Sequence, residues 1–340
     1  MTNMATVDLF AIGNALIDQE FKVSNEFLTQ QALQKGTMQL TDGETQAALY
    51  QQLQDTQNYK GQASGGSAAN TTVAFSALGG TAFYGCRVGN DDLGSIYLNG
   101  LNEAGIKTAA QSISEGVTGT CMVLISPDSE RTMHTYLGIT AELTAEQIDF
   151  EPLKAAKWLY IEGYLSTSDT ARVAVKQARE LAKAHGVKIA LSLSDPAMVQ
   201  YARQGLEELL DDGVDLLFCN EQEALMFSNT ETLDAAIEVL KSKNQHIVIT
   251  QGANGAVIID PEQQFHVAGR EVHAVDTNGA GDAFAGAFLY AINAGLTLKA
   301  AAQLAILISS EVVAQFGPRL AVENYAKLFE QFKNSQQEYA

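Results

Sequence analysis

The 340-residue sequence predicts an α/β fold: a central, mostly parallel sheet with helices on both faces, and a small β-rich lid at one end. Three observations predict it. From residue 156 onward, short β-branched runs alternate with longer helical stretches, the pattern of a parallel sheet wrapped by crossover helices. The first apolar run, Val7 to Ile12, leads into short strand-like segments instead of a second core strand, and that excursion reads as a lid. Near the other end, within Val275–Tyr290, a Gly-rich turn opens a helix with apolar residues at 284, 287, 288, 291 and 292. This spacing follows the helical period, so the helix is buried along at least one face.

Length and composition bound the reading. A chain of this size can bury a sizeable core as one domain spanning 1–340, with a lid formed by about residues 15–45 and 115–140. The balance of 46% hydrophobic and 18% charged residues is that of a globular enzyme rather than a disordered chain. A net charge of −19 repels nucleic acid and anionic membrane, which excludes both as partners. Nucleotide is acceptable once Mg²⁺ neutralises it. Three cysteines with no paired spacing fit a reducing, cytoplasmic compartment. Met1–Ile17 lacks basic residues before its apolar run and reads as a first strand, not a signal peptide. No run of 18 apolar residues predicts a transmembrane helix.

Taken in order, Val7–Ile12 is a buried strand ending at Gly13. Asn14 and Asp18 follow at its C-terminal end, where open α/β folds collect ligands. Phe21–Val23 and Thr37–Leu40 read as short strands around a Phe27–Lys35 helix. Gly65 and Gly66 followed by Ser67 make a turn and N-cap for a helix through Leu78. Asn70 lies one turn inside on the Ser67 face, so both can address one ligand. Thr81–Cys86 is a strand, followed by a helix ending near Gly105. Thr120–Ile125 and Arg131–Leu137 flank the turn sequence Ser126-Pro127-Asp128-Ser129-Glu130, a hairpin that completes the lid.

The regular region then reads as strand Trp158–Glu162, helix Thr170–His185, strand Lys188–Leu193, helix Val199–Leu210 and strand Val214–Cys219. A helix from Glu221, a helix Thr232–Lys243 and strand His246–Thr250 continue it. Val257–Ile259 and Gln264–Val267 form a hairpin, and Lys299–Phe316 and Val322–Phe332 close the fold as helices.

The chemistry concentrates at the Gly-rich turn. Gly279 and Gly281 leave backbone N–H groups uncovered, and with the amide of Ala280 and the positive end of the helix dipole they make an anion site. Asp282, in the first turn, is placed to take a proton from a hydroxyl attacking a phosphate held there, which suits phosphoryl transfer to an alcohol. The dipole is expected to favour the ionised form of Asp282. The histidines at 134, 185, 246, 266 and 273 show no metal-ligand spacing and read as solvent-exposed or strand-end residues.

The run Asp276-Thr277-Asn278-Gly279-Ala280-Gly281-Asp282-Ala283-Phe284 resembles the signature of the ribokinase-like (PfkB) carbohydrate and nucleoside kinases. Gly65-Gly66-x-x-x-Asn70 and Gly89-x-Asp91-x-x-Gly94 resemble that family's first signature. The resemblance thus reaches both ends of the chain and implies the ribokinase-like fold, with ATP and Mg²⁺ as cofactors. By the same resemblance, Asn220-x-x-Glu223 orders Mg²⁺ through water. The loop Thr250-Gln251-Gly252-Ala253-Asn254-Gly255 lies against the nucleotide, and Thr277 joins Thr250, Gly252 and Gly255 there. Asp276 and Gln315-Phe316-Gly317 resemble segments that bind a monovalent cation, such as K⁺, in several relatives.

Within the family the chain looks similar to the adenosine-kinase branch, through Gly13-Asn14-x-x-x-Asp18, Gly65-Gly66-Ser67, Gly119-Thr120-Cys121, Tyr160-Ile161-x-Gly163, Leu191-Ser192-Leu193-Ser194 and Phe218-x-Asn220-Glu221-x-Glu223-Ala224. The resemblance implies that Asn14, Asp18, Gly65, Gly66, Ser67 and Asn70 hold a ribose; Arg131 is either a lid arginine able to swing over the phosphates, as the resemblance implies, or an exposed arginine of the hairpin. Two departures touch the region that stacks on a purine. Tyr164 is followed by Leu165 where the branch shows two aromatics, and Tyr136–Thr140 differs from its Ala/Asn-rich lid segment.

The implied activity is ATP-dependent phosphorylation of a primary hydroxyl, the 5′-hydroxyl of adenosine or a related purine nucleoside, with Asp282 as base. The alternatives are a kinase of a free sugar or sugar acid, and a non-catalytic nucleoside-binding regulator of the same fold. The partner is a small molecule, and the protein is read as a monomer or a lid-mediated homodimer.

Overall fold

The computed structural model describes residues 7–54, 58–128 and 130–337. The start of the first segment, 1–6, and Ser129 of the lid turn lie outside them. Nine strands form one sheet in the order Gln264–Val267, Ala256–Ile259, His246–Thr250, Leu216–Asn220, Lys188–Ser192, Trp158–Glu162, Leu9–Ile12, Ala82–Gly85 and Lys107–Thr108. From His246–Thr250 to Lys107–Thr108 every pairing is parallel; the Ala256–Ile259 and Gln264–Val267 hairpin adds antiparallel strands at one edge.

The alternation of side chains explains the two core layers. In the strand Leu9–Ile12, Leu9 and Ala11 enter one layer while Phe10 and Ile12 enter the other. Trp158 and Tyr160 part from Leu159 and Ile161 in the same way. Both faces are covered, so these strands carry apolar residues at successive positions. Local signals place the helices: Ser168 caps Asp169–His185 by accepting from the Ala171 N–H at 3.2 Å, and Gly186, at φ +70°, ends it.

The helix Ala280–Asn293 packs against Ser67–Ala77 and Leu298–Val313 and is buried on nearly every side. Gly286 permits that approach. A Cβ there would lie 2.2 Å from the Thr71 carbonyl oxygen and 2.8 Å from the Ala74 Cβ. Gly286→Ala is therefore expected to cost about 1–3 kcal/mol by overpacking. A denaturation midpoint equal to that of the wild type would show that the two helices can part without strain.

A second, five-stranded sheet orders Met38–Leu40, Arg131–Gly138, Thr118–Ile125, Leu16–Lys22 and Tyr59–Ser64. Its hairpin follows the sequence reading, but the helix Gly43–Gln54 and the strand Tyr59–Ser64 do not appear there. In that strand only Ser64 is buried, so it carries no apolar alternation; it is an edge strand whose place is set by pairing with Leu16–Lys22.

Three local expectations are corrected. His134 is buried within its lid strand, and burial lowers its pKa. The helix read as Val199–Leu210 is two, Pro196–Tyr201 and Arg203–Leu210, because Asp195 caps the first by accepting from the Ala197 N–H at 2.7 Å with Pro196 at its start. Ser67 is the first residue of its helix rather than its cap. Gly66 takes the cap position at φ +90°, which frees the Ser67 hydroxyl for a distant partner.

Candidate active site

A cavity of about 450 Å³ opens between the C-terminal ends of the parallel strands and the five-stranded sheet. Asn14, Asp18, Gly66, Ser67 and Asn70 line it together with Asn220, Glu223, Thr250 and Gly252 and with Thr277, Gly279, Gly281 and Asp282. This is the crevice where strand ends in open α/β sheets meet ligands. Gly65, Ala280 and Gly255 do not contribute walls. Gly65 is instead a spacer, since a Cβ there would fall 2.2 Å from Asp18 Oδ1. Gly255, at φ +98°, closes its loop against the Val267 carbonyl.

The Gly-rich turn has the geometry of an anion site. Gly279 caps the Ala280–Asn293 helix at φ +71°, with the Pro318 carbonyl 2.3 Å from where a Cβ would be. A Cβ on Gly281 would meet nothing within 4 Å, so that side of the first turn is open, while the Ala280 amide donates to the Thr277 carbonyl at 3.4 Å.

Asp282 is half-buried against the cavity wall and tied to the Ser67–Ala77 helix. Its Oδ1 accepts from Ser67 Oγ at 2.6 Å and its Oδ2 from Asn70 Nδ2 at 2.8 Å. Asn70 Oδ1 in turn accepts from Arg319 Nε at 2.7 Å. The Ser67 and Asn70 side chains, expected at the sugar, both point to this carboxylate. Desolvation by the walls outweighs the two hydrogen bonds and the Arg319 charge, so the Asp282 pKa is raised. This reverses the expectation from the helix dipole, and it makes the carboxylate a stronger base.

Asp18 lies on the lid strand Leu16–Lys22, is buried, and has its pKa pushed up to about 7 by that burial against the opposing pull of Arg319. Fully buried Glu162 was not singled out from the sequence, although its position inside Tyr160-Ile161-x-Gly163 was a signal: a charge ending an apolar strand. It accepts from the Asn14 N–H and the Ala68 N–H, both at 2.7 Å, and so joins the strand ends to the Ser67–Ala77 helix. Burial raises its pKa to about 7. Arg319 was also missed. It follows the Gln315–Gly317 loop and lies 249 residues from Asn70, so no local pattern announces it.

Arg131 is buried and forms an ion pair with Asp276, rather than standing free on a hairpin. Asp276 Oδ1 also accepts from the Asn278 N–H at 2.9 Å and Oδ2 from the Gly317 N–H at 2.8 Å. Asn220 and Glu223, which also line the cavity, form a capping box at the start of Glu221–Ser228. Glu223 accepts from the Asn220 N–H at 3.0 Å and from Asn220 Nδ2 at 2.6 Å, and burial raises its pKa to about 8. Among the described residues no cluster of three or more His, Cys, Asp or Glu side chains is arranged to hold a metal, and no helix is long and apolar enough to cross a membrane. All three cysteines are buried and free.

The fold and this cavity define a phosphotransferase of ribokinase-like architecture, acting on a hydroxyl. The model of the pfkB family carbohydrate kinases matches residues 36–324, and the chain belongs to that family. The structure of an adenosine kinase from Sinorhizobium meliloti superposes with a TM-score of 0.89 at 33% identity, covering 96% of this chain and 99% of that one. A probable sugar kinase protein from Rhizobium etli CFN 42 gives 0.90 at 32% identity over the same shares. The adenosine kinase of Saccharomyces cerevisiae is 28% identical over 345 residues, covering 95% of this chain and all of the relative. The ribokinase of Mus musculus, 29% identical, covers 66% of this chain and 70% of its own length.

Proposed function

We propose that the protein is a Mg·ATP-dependent kinase of the 5′-hydroxyl of a ribonucleoside, adenosine or a close purine relative. One observation carries the reading: Asp282 stands in a single cavity between a polar wall suited to a ribose and a helix start that offers amides to a phosphate. As a carboxylate, Asp18 can accept from two neighbouring hydroxyls at once, the feature of a ribose 2′,3′-diol. Leu16, Met38, Leu40, Met133 and Met198, with the Tyr164 ring, give the cavity an apolar side for a flat base. Leu165, where the branch carries a second aromatic, is buried in the core, so a single ring is left to stack.

Ser67 and Asn70 each use one acceptor position of Asp282, which leaves room for a primary hydroxyl to donate to it. Asp282 then accepts that proton as the phosphoryl group moves, while the amides around Gly279–Gly281 hold the developing charge. Glu223 spends two of its four acceptor positions on Asn220, so it fits a role in holding Mg²⁺ through water. Held there, Mg²⁺ would neutralise phosphate charge. Asp276 already has Arg131 and two amides around its oxygens, and no step is assigned to a monovalent cation.

The test is a panel of nucleosides, free sugars and sugar acids with Mg·ATP, read by ADP release. Purine ribonucleosides, adenosine first, are expected to be turned over and to lose that turnover as 5′-deoxy analogues. Turnover confined to free sugars or sugar acids would overturn the nucleoside assignment. Tight nucleoside binding without ADP release would mark a regulator and overturn the kinase reading altogether.

A further inference from the structure

One partly buried cation, Arg319, stands behind Asn70. Arg319 donates through Nε to Asn70 Oδ1, while its Nη2 is buried and has no hydrogen-bond partner. A buried donor left unmatched costs free energy, so the side chain is held there against a penalty. The Asn70 amide lies between two groups of opposite demand. A guanidinium can only donate and an ionised carboxylate can only accept, so the amide oxygen must face Arg319 and the amide nitrogen must face Asp282. Each neighbour favours this same orientation, but the carboxyl does so only while ionised, whereas the guanidinium does so in either protonation state of Asp282.

We propose that Arg319 is a positioning residue for phosphoryl transfer: it locks Asn70 in the one orientation that donates to Asp282 and supplies the positive charge that opposes the acidic groups around that base. The inference rests on the kinase reading for its effect on turnover, but not for its effect on Asp282 itself. Asp282 is held by hydrogen bonds from Ser67 and Asn70 and by the Arg319 charge, and its own charge raises the pKa of the groups packed near it: Asp18 from the lid sheet, Tyr160 and Glu162 from one core strand, Tyr164 beyond it and Tyr325 from the last helix. Of these only Arg319 is a cation. Its loss should therefore leave the carboxylate harder to ionise, both through the missing charge and through a released Asn70.

The experiment compares wild type, Arg319→Met and Arg319→Lys by steady-state kinetics and by NMR titration of protein labelled at the aspartate carboxyl carbon. Asp282→Asn assigns the resonance. Arg319→Met is expected to lower kcat roughly 10- to 100-fold, as a misplaced catalytic group does, with KM for ATP little changed. The Asp282 resonance should titrate at higher pH than in wild type. Combined with Asn70→Ala, the loss should fall well short of the product of the two single losses, because the residues act as a unit. Arg319→Lys keeps the charge without the planar Nε–H, so it should titrate near wild type yet still lose kcat; it also carries the test if the Met variant does not fold.

A folded Arg319→Met variant with wild-type kcat and an unmoved titration would overturn the inference, as would a Lys variant with wild-type kcat or losses that multiply with Asn70→Ala. If wild type turns over no substrate but its Asp282 titration still moves in Arg319→Met, the kinase reading falls and this one stands.

Discussion

Asp282→Asn is expected to abolish most turnover, lowering kcat by roughly 10²–10⁴-fold, the range of general-base catalysis, while nucleotide binding and folding persist. The geometry sets the terms. An amide in place of the carboxylate keeps the size and can still accept from Ser67, but it turns an NH₂ toward the Asn70 Nδ2 or toward the incoming hydroxyl. It cannot take a proton. Because burial raises the Asp282 pKa, wild-type kcat/KM should also show an acid limb that the Asn variant lacks. Turnover within a few-fold of wild type would remove Asp282 from the chemistry, and a lost ATP affinity would recast it as a nucleotide ligand.

The second large effect concerns the sugar end. Asp18→Ala is expected to raise KM for the nucleoside by roughly 10²-fold, since a charged partner of two hydrogen bonds is lost, and to change KM for ATP little. The wild type should show a related pH dependence. With the Asp18 pKa at about 7, the ionised form that accepts from both hydroxyls becomes scarce below that pH, so apparent affinity should weaken as pH falls. The stability linkage runs the same group in the opposite sense. A folded pKa raised from 3.8 means that the folded state binds the extra proton. This contribution is fully present below 3.8 and is lost as pH rises through about 7, so stability falls across that window. Asp18→Asn should flatten that slope in thermal unfolding measured from pH 4 upward. An unchanged slope together with an unchanged KM would remove Asp18 from both roles.

How much of this was legible in the chain differs from residue to residue. The Gly279–Asp282 turn was readable because its signals are local: two glycines, a carboxylate and an apolar helix in one run. Asp18 was readable by its place just past a buried strand. Tyr59–Ser64 was not, because an exposed edge strand needs no apolar alternation and takes its conformation from the strand it pairs with. Ser67 misled in an informative way. A Ser after two glycines has the local chemistry of a cap, yet a carboxylate 215 residues later takes its hydroxyl.

By itself, the sequence determined the α/β architecture and the kinase family and singled out Asp282 as the candidate base, all of which rest on periodicity and on short motifs whose residues are chain neighbours. Only the tertiary structure decided that burial raises the Asp282 pKa where the helix dipole alone would lower it, that Arg131 closes on Asp276, and that Arg319 reaches Asn70. Desolvation and charge pairing depend on which groups the fold brings within a few ångströms of one another, and no spacing along the chain encodes those distances.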